Sequence, residues 1–389
     1  MPIPTRPFGK TGLETSILGF GCMRLPVLGG DQSAIDIPAA TAMIRTAIDA
    51  GVNYVDTAYP YHSANFPYAG ESEPLVAHAL ADGWRDKVIL ATKLPLWIVE
   101  SRSDMDRLLD EQLARLKTDH IDVYLAHNCN RNSWPTMRDL GLLDFLDAAT
   151  RDGRIKHAGF SFHDGYDLFE EIMDSYDWPV AQVQYNYLDA AYEAYERCMR
   201  LPPERGAGLV IMEPLRGGFL ANKVPEHLRA MLREIRPDWS LAEWALRWLW
   251  NKPELSVVLS GMSTPEQVEE NLRIAASVGE PGTSFGPDEE EALLRVRTWF
   301  VEHLPVNCTA CGYCMPCPAG VAIPNVFGFY NEYALDDETL KGRAERLYHM
   351  TLPESARAGA CTACGVCETR CPQGIAIPDR MVEVNALFG

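Results

Sequence analysis

Eight of the eleven cysteines carry the most specific chemistry in the sequence. Cys361, Cys364, Cys367 and Cys371 are spaced Cys-x2-Cys-x2-Cys-x3-Cys and precede Pro372. Cys308, Cys311, Cys314 and Cys317 repeat this with one residue fewer before the last cysteine, and precede Pro318. Thiolates two residues apart can wrap one face of a cubane cluster, and a fourth cysteine followed by proline can reach a second cluster. The runs therefore predict two [4Fe–4S] clusters, with the shortened gap leaving open which cysteine serves which. Four cysteines also make a closed tetrahedral zinc site. Zinc ribbons, however, divide their ligands into separated pairs, whereas each run here is continuous. Cys22, Cys129 and Cys198 are scattered and read as small buried hydrophobes.

A second constellation lies upstream: Asp56, Tyr61, Lys93 and His127 each follow or close a β-branched run. Each is weak evidence alone, since a lysine or histidine after a strand is usually an ordinary rim residue. Together they offer a carboxylate, a phenol, an ammonium and an imidazole. A neighbouring ammonium stabilises a phenolate and lowers the phenol pKa from its usual value near 10. Lys93 is expected to do this for Tyr61, with Asp56 holding Lys93. His127 would hydrogen-bond the substrate oxygen or supply a second titrating group. Such a site protonates a carbonyl while hydride reaches its carbon, or runs in reverse on an alcohol.

These residues need a scaffold that brings strand ends together. Eight β-branched runs, from Ile17–Met23 to Ser256–Gly261, alternate with segments of helical apolar spacing. That count predicts an α/β fold, a (β/α)8 barrel whose strand ends form the catalytic rim. Phe8 to Leu13 has the turn chemistry of a hairpin that would plug the barrel bottom. A further helix is expected over Pro287–Glu302, leading back toward the rim, and a helical stretch near Asn325–Leu347. Two domains result, a barrel over 1–302 and a mainly α-helical ferredoxin-like iron–sulfur domain over 303–389.

Composition narrows the function classes. The 389 residues are 47% hydrophobic and 23% charged, as in an ordinary globular chain. Lys+Arg 35 minus Asp+Glu 54 gives −19 at pH 7. That field repels phosphate backbones and anionic headgroups, so neither nucleic acid nor membrane is expected as a partner. No apolar run is long enough to span a bilayer, and no secretory signal opens the chain, which points to a cytoplasmic protein.

Residues 6–300 resemble the aldo/keto reductase family. The resemblance rests on GKTGLETSILGFGCMRLP, on DTAYPYH with Tyr61 five after Asp56, on ATK at Lys93, on YLAH at His127 and on GMSTPEQVEEN. The tail resembles a two-cluster ferredoxin domain. The family implies Tyr61 as general acid/base assisted by Asp56, Lys93 and His127, acting on a small carbonyl or alcohol with NAD(P)H. It implies further that Ser161 and Gln182 hold the carboxamide, that the backbone of Leu215 to Gly218, Gly217 among them, approaches the pyrophosphate, and that Glu270 and Asn271 face the adenine. The sequence departs from the family pattern at Phe162, where Asn is usual, and at Met212, where a Tyr would stack. It also departs at Gly261, Met262 and Gln267, where Lys-Ser and Arg would grip a 2′-phosphate. Arg216 and Arg273 are the cations left to replace that grip.

Nicotinamides deliver electrons in pairs and iron–sulfur clusters singly, so coupling them needs a bridge. A flavin, a substrate accepting single electrons, or ferredoxin in place of nicotinamide would each serve. The alternative from another class is an electron-transfer or redox-sensing protein on a degenerate barrel. On the rim loops, His62, Phe66, Trp97 and Trp134 are candidates for an aromatic pocket or for plain loop packing.

Overall fold

The computed structural model describes residues 2–65, 68–191, 193–280, 282–283, 285–335 and 338–389. Phe66 thus lies outside the described residues. The chain divides into two compact units, one of residues 1–214 and 243–286, the other of residues 215–242 and 287–389.

In the first unit, strands β1 (Thr5–Pro7) and β2 (Glu14–Ser16) form the antiparallel hairpin foreseen around Phe8 to Leu13. Eight strands then close a parallel barrel. They are β3 (Leu18–Gly21), β4 (Tyr54–Asp56), β5 (Ile89–Pro95), β6 (Ile121–Cys129), β7 (Ile155–Phe162), β8 (Val180–Gln184), β9 (Gly208–Met212) and β10 (Val257–Ser260). Their order round the barrel is β10-β3-β4-β5-β6-β7-β8-β9, so each strand pairs with its neighbour in the chain and β10 closes on β3. Runs of Val, Ile and Leu suit strands covered on both sides.

The floor of the barrel is filled by Phe8. It is fully buried against Tyr54, Ile89, Val123, Leu125, Val180, Val210 and Val257, which come from strands all round the barrel. Gly208 makes this possible, because a Cβ there would stand 2.4 Å from the Phe8 ring. Register then fixes the opposite end. Gly21 pairs with Asp56, Pro95 with His127, and Ser161 with Gln182, placing these polar residues at the C-terminal ends of adjacent strands.

The second unit is helical. The helix expected from Pro287 runs as Pro287–His303, and the central stretch forms two helices, Ile323–Ala334 and Glu338–Thr351, followed by Ile377–Phe388. Val306, Val326, Phe327, Tyr348, Met381, Val384 and Phe388 form its core. Asn331 ties the loop to the helices by bonding both the N–H and the carbonyl of Val306. The Leu215–Ala242 segment joins the same unit through Lys223 to Glu332 at 2.7 Å and through the paired rings of Phe219 and Phe300. Among the described residues no helix is long and apolar enough to cross a membrane.

Phe8→Ala is expected to destabilise the barrel by about 3–5 kcal/mol, because the cavity has rigid strands on every side. Denaturant unfolding followed by tryptophan fluorescence measures this. A cost below about 1 kcal/mol would show that the plug is not packed.

Candidate functional site

Lys93, on β5, is 1% exposed and uses its ammonium on three acceptors. Nζ donates to Asp56 Oδ1 at 2.7 Å, to the Thr57 carbonyl at 2.8 Å and to the Tyr61 hydroxyl at 3.3 Å. The strand is steadied from behind. Gln112 donates to the Lys93 carbonyl at 3.1 Å and to the buried Glu73 at 2.7 Å, and Glu73 also accepts from Thr92 and Arg115. None of this support was foreseen from sequence, since Glu73 and Gln112 carry no motif.

Tyr61 sits in the turn after β4, held by its N–H bond to the Ala58 carbonyl and by its own carbonyl accepting from Ser72 N. Gly70 lies directly against it, where a Cβ would come within 2.0 Å of the Tyr61 carbonyl oxygen. His127 meets the Tyr61 ring edge-on at 6.1 Å between centroids, and Trp97 lies against His127 at 5.0 Å. The structure thus brings Asp56, Tyr61, Lys93 and His127 together, with Trp97 against His127. Trp134 and His62 play other parts. Trp134 is fully buried and bonds Glu171, while His62 accepts from Leu25 N and bonds the Gln32 carbonyl.

The electrostatics correct one expectation. The Tyr61 phenol is held well above its ordinary value, first by burial and then by the charges of Asp56, Glu213 and Cys22, with Arg24 opposing them. The ammonium of Lys93 does not reverse this, because its closest partner is Asp56. Burial pushes the Asp56 carboxyl up and the Lys93 ammonium down, and their contact opposes both shifts. His127 is held well below the usual imidazole value by burial and by the charges of Lys93 and His163. It is therefore neutral at pH 7 and a hydrogen-bonding group, not a second titrating one. His163, just after β7, is lowered to about 4 by burial. Sequence reading missed Arg24, His163 and Glu213, whose bearing on Tyr61 and His127 is visible only in three dimensions.

The residues expected to hold a nucleotide fall in both units. In the first, Gln182 is buried and its Oε1 has no hydrogen-bond partner, while its side chain also acts on the Asp56 carboxylate and its Nε2 reaches the Met212 sulfur at 3.8 Å. An orphaned buried carbonyl fits a carboxamide N–H. Ser161 Oγ accepts from Asn128 N at 2.8 Å. Asn271 is buried and donates to Ser260 Oγ, Glu270 is half-buried beside it, and Phe162 packs on Phe160 and Phe169. Arg273 is committed to Glu243 at 2.8 Å. In the second unit, Leu215, Arg216, Gly217 and Gly218 form the turn after β9. There Arg216 is 3% exposed, and its Nε and Nη2 lack hydrogen-bond partners. Among the described residues no carboxylate lies within ion-pair distance of Arg216, whereas Arg273 is paired.

The cysteines of the second unit form two sets. One small cavity is lined by Cys308, Cys311, Cys314 and Cys371. The other is lined by Cys317, Cys361, Cys364 and Cys367. The thiols sense one another accordingly. Cys314 is raised by burial and then by Cys311, Cys308 and Cys371, and Cys367 is pushed up to about 11 by burial with contributions from Cys317 and Cys361. Each cavity thus takes three thiols from one run and the Cys-Pro thiol of the other, in apolar surroundings that include Ile323 and Ile377. Four thiols facing one cavity have the donor chemistry that a cubane cluster takes.

Two family models match the chain. Residues 17–278 match the aldo/keto reductase family, and residues 307–376 match a 4Fe-4S dicluster domain. The NADH-specific methylglyoxal reductase of Escherichia coli (strain K12) is 26% identical over 313 residues, covering 68% of this chain and 91% of that protein. The L-galactose dehydrogenase of Arabidopsis thaliana is 25% identical over 305 residues, covering 74% and 92%. The holo form of the aldo-keto reductase AKR11C1 from Bacillus halodurans superposes with a TM-score of 0.61 at 25% identity, covering 76% of this chain and 96% of that one.

The crossed cysteine sets generate a test. The double variant Cys317→Ala/Cys364→Ala is expected to keep about four of about eight iron per chain, since both changes strike one cluster. Cys317→Ala/Cys308→Ala should lose nearly all. Iron analysis after anaerobic purification checks this, and the opposite ranking would mean that each run serves its own cluster.

Proposed function

The chain belongs to the aldo/keto reductase family, and on that premise we propose that it reduces a small carbonyl compound, or oxidises the alcohol, with Tyr61 as the proton donor or acceptor. That it is an oxidoreductase with a 4Fe-4S dicluster domain follows from the family matches. The observation that carries the finer reading is the Lys93 ammonium bonded at once to Asp56 and to the Tyr61 hydroxyl.

Tyr61 stays protonated throughout neutral pH because its phenol is raised, so it is poised in the reducing direction to hand its proton to a carbonyl oxygen. The phenolate left behind would be stabilised by the Lys93 contact, which gains in strength as charge develops. Neutral His127 would donate a hydrogen bond to the same oxygen. Gln182, through its orphaned Oε1, and Ser161 would hold a nicotinamide carboxamide, with Leu215, Gly217, Glu270 and Asn271 serving the remainder of the nucleotide. When bound, the nicotinamide supplies hydride to the carbonyl carbon. The E. coli relative is named as specific for NADH. For this chain, the loss of the usual 2′-phosphate grip supports NADH over NADPH, with Arg216 as the counterweight.

The eight cysteines would hold two [4Fe–4S] clusters, which when bound pass electrons singly. We place them in the electron supply of the reaction in a cytoplasmic setting; in the alternative reading, ferredoxin or a similar carrier replaces NAD(P)H as the electron source. A flavin is the remaining candidate for the bridge between single and paired electrons.

Tyr61→Phe is expected to lower carbonyl reduction by roughly 10²–10⁴-fold with fold and iron content unchanged. In the wild type, the rate should be level between about pH 6 and 8, because neither raised Tyr61 nor lowered His127 titrates there. An inflection near 6.5 that disappears in His127→Gln would instead assign a titrating role to His127. NADH-, NADPH- and reduced-ferredoxin-driven rates should be compared in the full chain and in Cys317→Ala/Cys308→Ala. Unchanged rates for every donor would remove the clusters from the mechanism.

A further inference from the structure

The two cysteine loops are copies of one another. Cys308-Thr309-Ala310-Cys311-Gly312 answers to Cys361-Thr362-Ala363-Cys364-Gly365, and Cys-Pro-x-Gly-x-Ala-Ile-Pro begins at both Cys317 and Cys371. The backbones match as well. Ala310 and Ala363 have φ of 54° and 53°, and Gly312 and Gly365 of 82° and 74°. The N–H of each alanine donates to the cysteine sulfur two residues earlier, at 3.4 and 3.5 Å. Ile323 and Ile377 line both cavities, so the two sites are neighbours.

Their surroundings break the symmetry. In the first copy Thr309 is 3% exposed, Tyr313 is buried, and Cys308, Cys311 and Cys314 are half-buried. In the second, Thr362, Ala363 and Cys364 are exposed in succession. The helix Ile377–Phe388 lies alongside that exposed loop. Its Pro378 lines the same cavity as Thr362 and Cys364, and nearer its end Asn385 stands against Gly359, where a Cβ would come within 2.6 Å of Oδ1. Between those two contacts Val382 is 70% exposed, on the helix face of Pro378 four residues earlier. No residue from Ala358 to Cys367 is charged, and Arg380 is bonded to Glu383 at 2.7 Å. An exposed thiol beside a small uncharged surface with a polar rim suits the brief, weakly held encounter of two redox proteins.

We infer that the site of Cys317, Cys361, Cys364 and Cys367 is where electrons enter the protein, and that a ferredoxin-type carrier docks on Thr362, Ala363, Cys364 and Val382. The partner is a small one-electron iron–sulfur protein with an apolar face over its own cluster. The inference rests on the electron supply proposed above, with such a carrier as the source. In each encounter the carrier is oxidised by one electron and the site it faces is reduced by one. The more enclosed site of Cys308, Cys311, Cys314 and Cys371 is then the second station. Docking on an uncharged face does not weaken as salt rises, in contrast to docking by ion pairs.

The test uses the full holoprotein with no carbonyl present, mixed with a reduced plant-type [2Fe–2S] ferredoxin. Freeze-quench EPR tells the two kinds of cluster apart and gives the rate of transfer. Thr362→Glu/Val382→Glu is expected to slow the second-order rate by roughly 10-fold or more, because two charges must then be desolvated or avoided on docking. Calorimetric binding of oxidised ferredoxin should weaken in parallel. Iron content and reduction by a small photoreduced deazaflavin, which needs no docking face, should stay as in the wild type. Val382→Glu alone, away from every thiol in the chain, should give part of the loss. Met350→Glu, at another exposed apolar residue of the second unit (79%), should give none. Unchanged rate and affinity in both Val382 variants, or an equal loss in Met350→Glu, overturns the inference. A full chain that is dimeric in solution and monomeric in the double variant would assign the face to a second copy and equally overturn it. Because no carbonyl enters the assay, failure of the Tyr61 chemistry leaves this result standing, and failure here leaves that chemistry untouched.

Discussion

A lysine charge with almost no access to water sets the terms for the barrel site. Removing Lys93 and Asp56 from solvent costs several kcal/mol per ion, and their attraction offsets this only if every remaining donor is met. The three acceptors around Nζ meet that condition, and they come from β4 and the turn after it. The pairing of β4 with β5 must therefore hold to within a fraction of an ångström. The Gln112–Glu73 network behind Lys93 and the close approach of Gly70 to Tyr61 both serve that end. The third acceptor is the Tyr61 hydroxyl, so the bond that completes the lysine shell also orients the phenol proposed as proton donor.

The barrel was legible in the sequence because eight β-branched runs alternate with helical segments, and that alternation has few other solutions. The gathering of Asp56, Tyr61, Lys93 and His127 was legible for the same reason, since each sits at a strand end. Ionisation was not. Reading Lys93 as an acidifier of Tyr61 counts one neighbour, whereas the phenol responds to burial and to Asp56, Glu213, Cys22 and Arg24 together. Trp134 and His62 show a related limit, because a loop position alone does not distinguish a pocket wall from a buried hydrogen-bonded prop.

The second unit draws a stretch of the barrel sequence into its own core. Leu215–Ala242 follows β9 directly, yet Lys223 pairs with Glu332 and Phe219 with Phe300. The turn carrying Arg216, Gly217 and Gly218 therefore shares its packing with the helices around the cysteine cavities. Three consecutive left-handed residues in that turn, one of them an arginine, require such outside support.

The exchange of the Cys-Pro thiols between the two cavities has a consequence for how the protein is made. A chain leaving the ribosome presents Cys308, Cys311 and Cys314 long before Cys371, and Cys317 long before its three companions. No complete quartet exists until almost the entire tail has been synthesised and its two ends have come together. With the proposed ligand sets, iron and sulfide would be captured by a folded clasp, not by a nascent peptide, and maturation would be nearly all-or-none. A chain cut short anywhere before Cys367 would hold no finished site, which keeps half-built, oxygen-sensitive intermediates from accumulating.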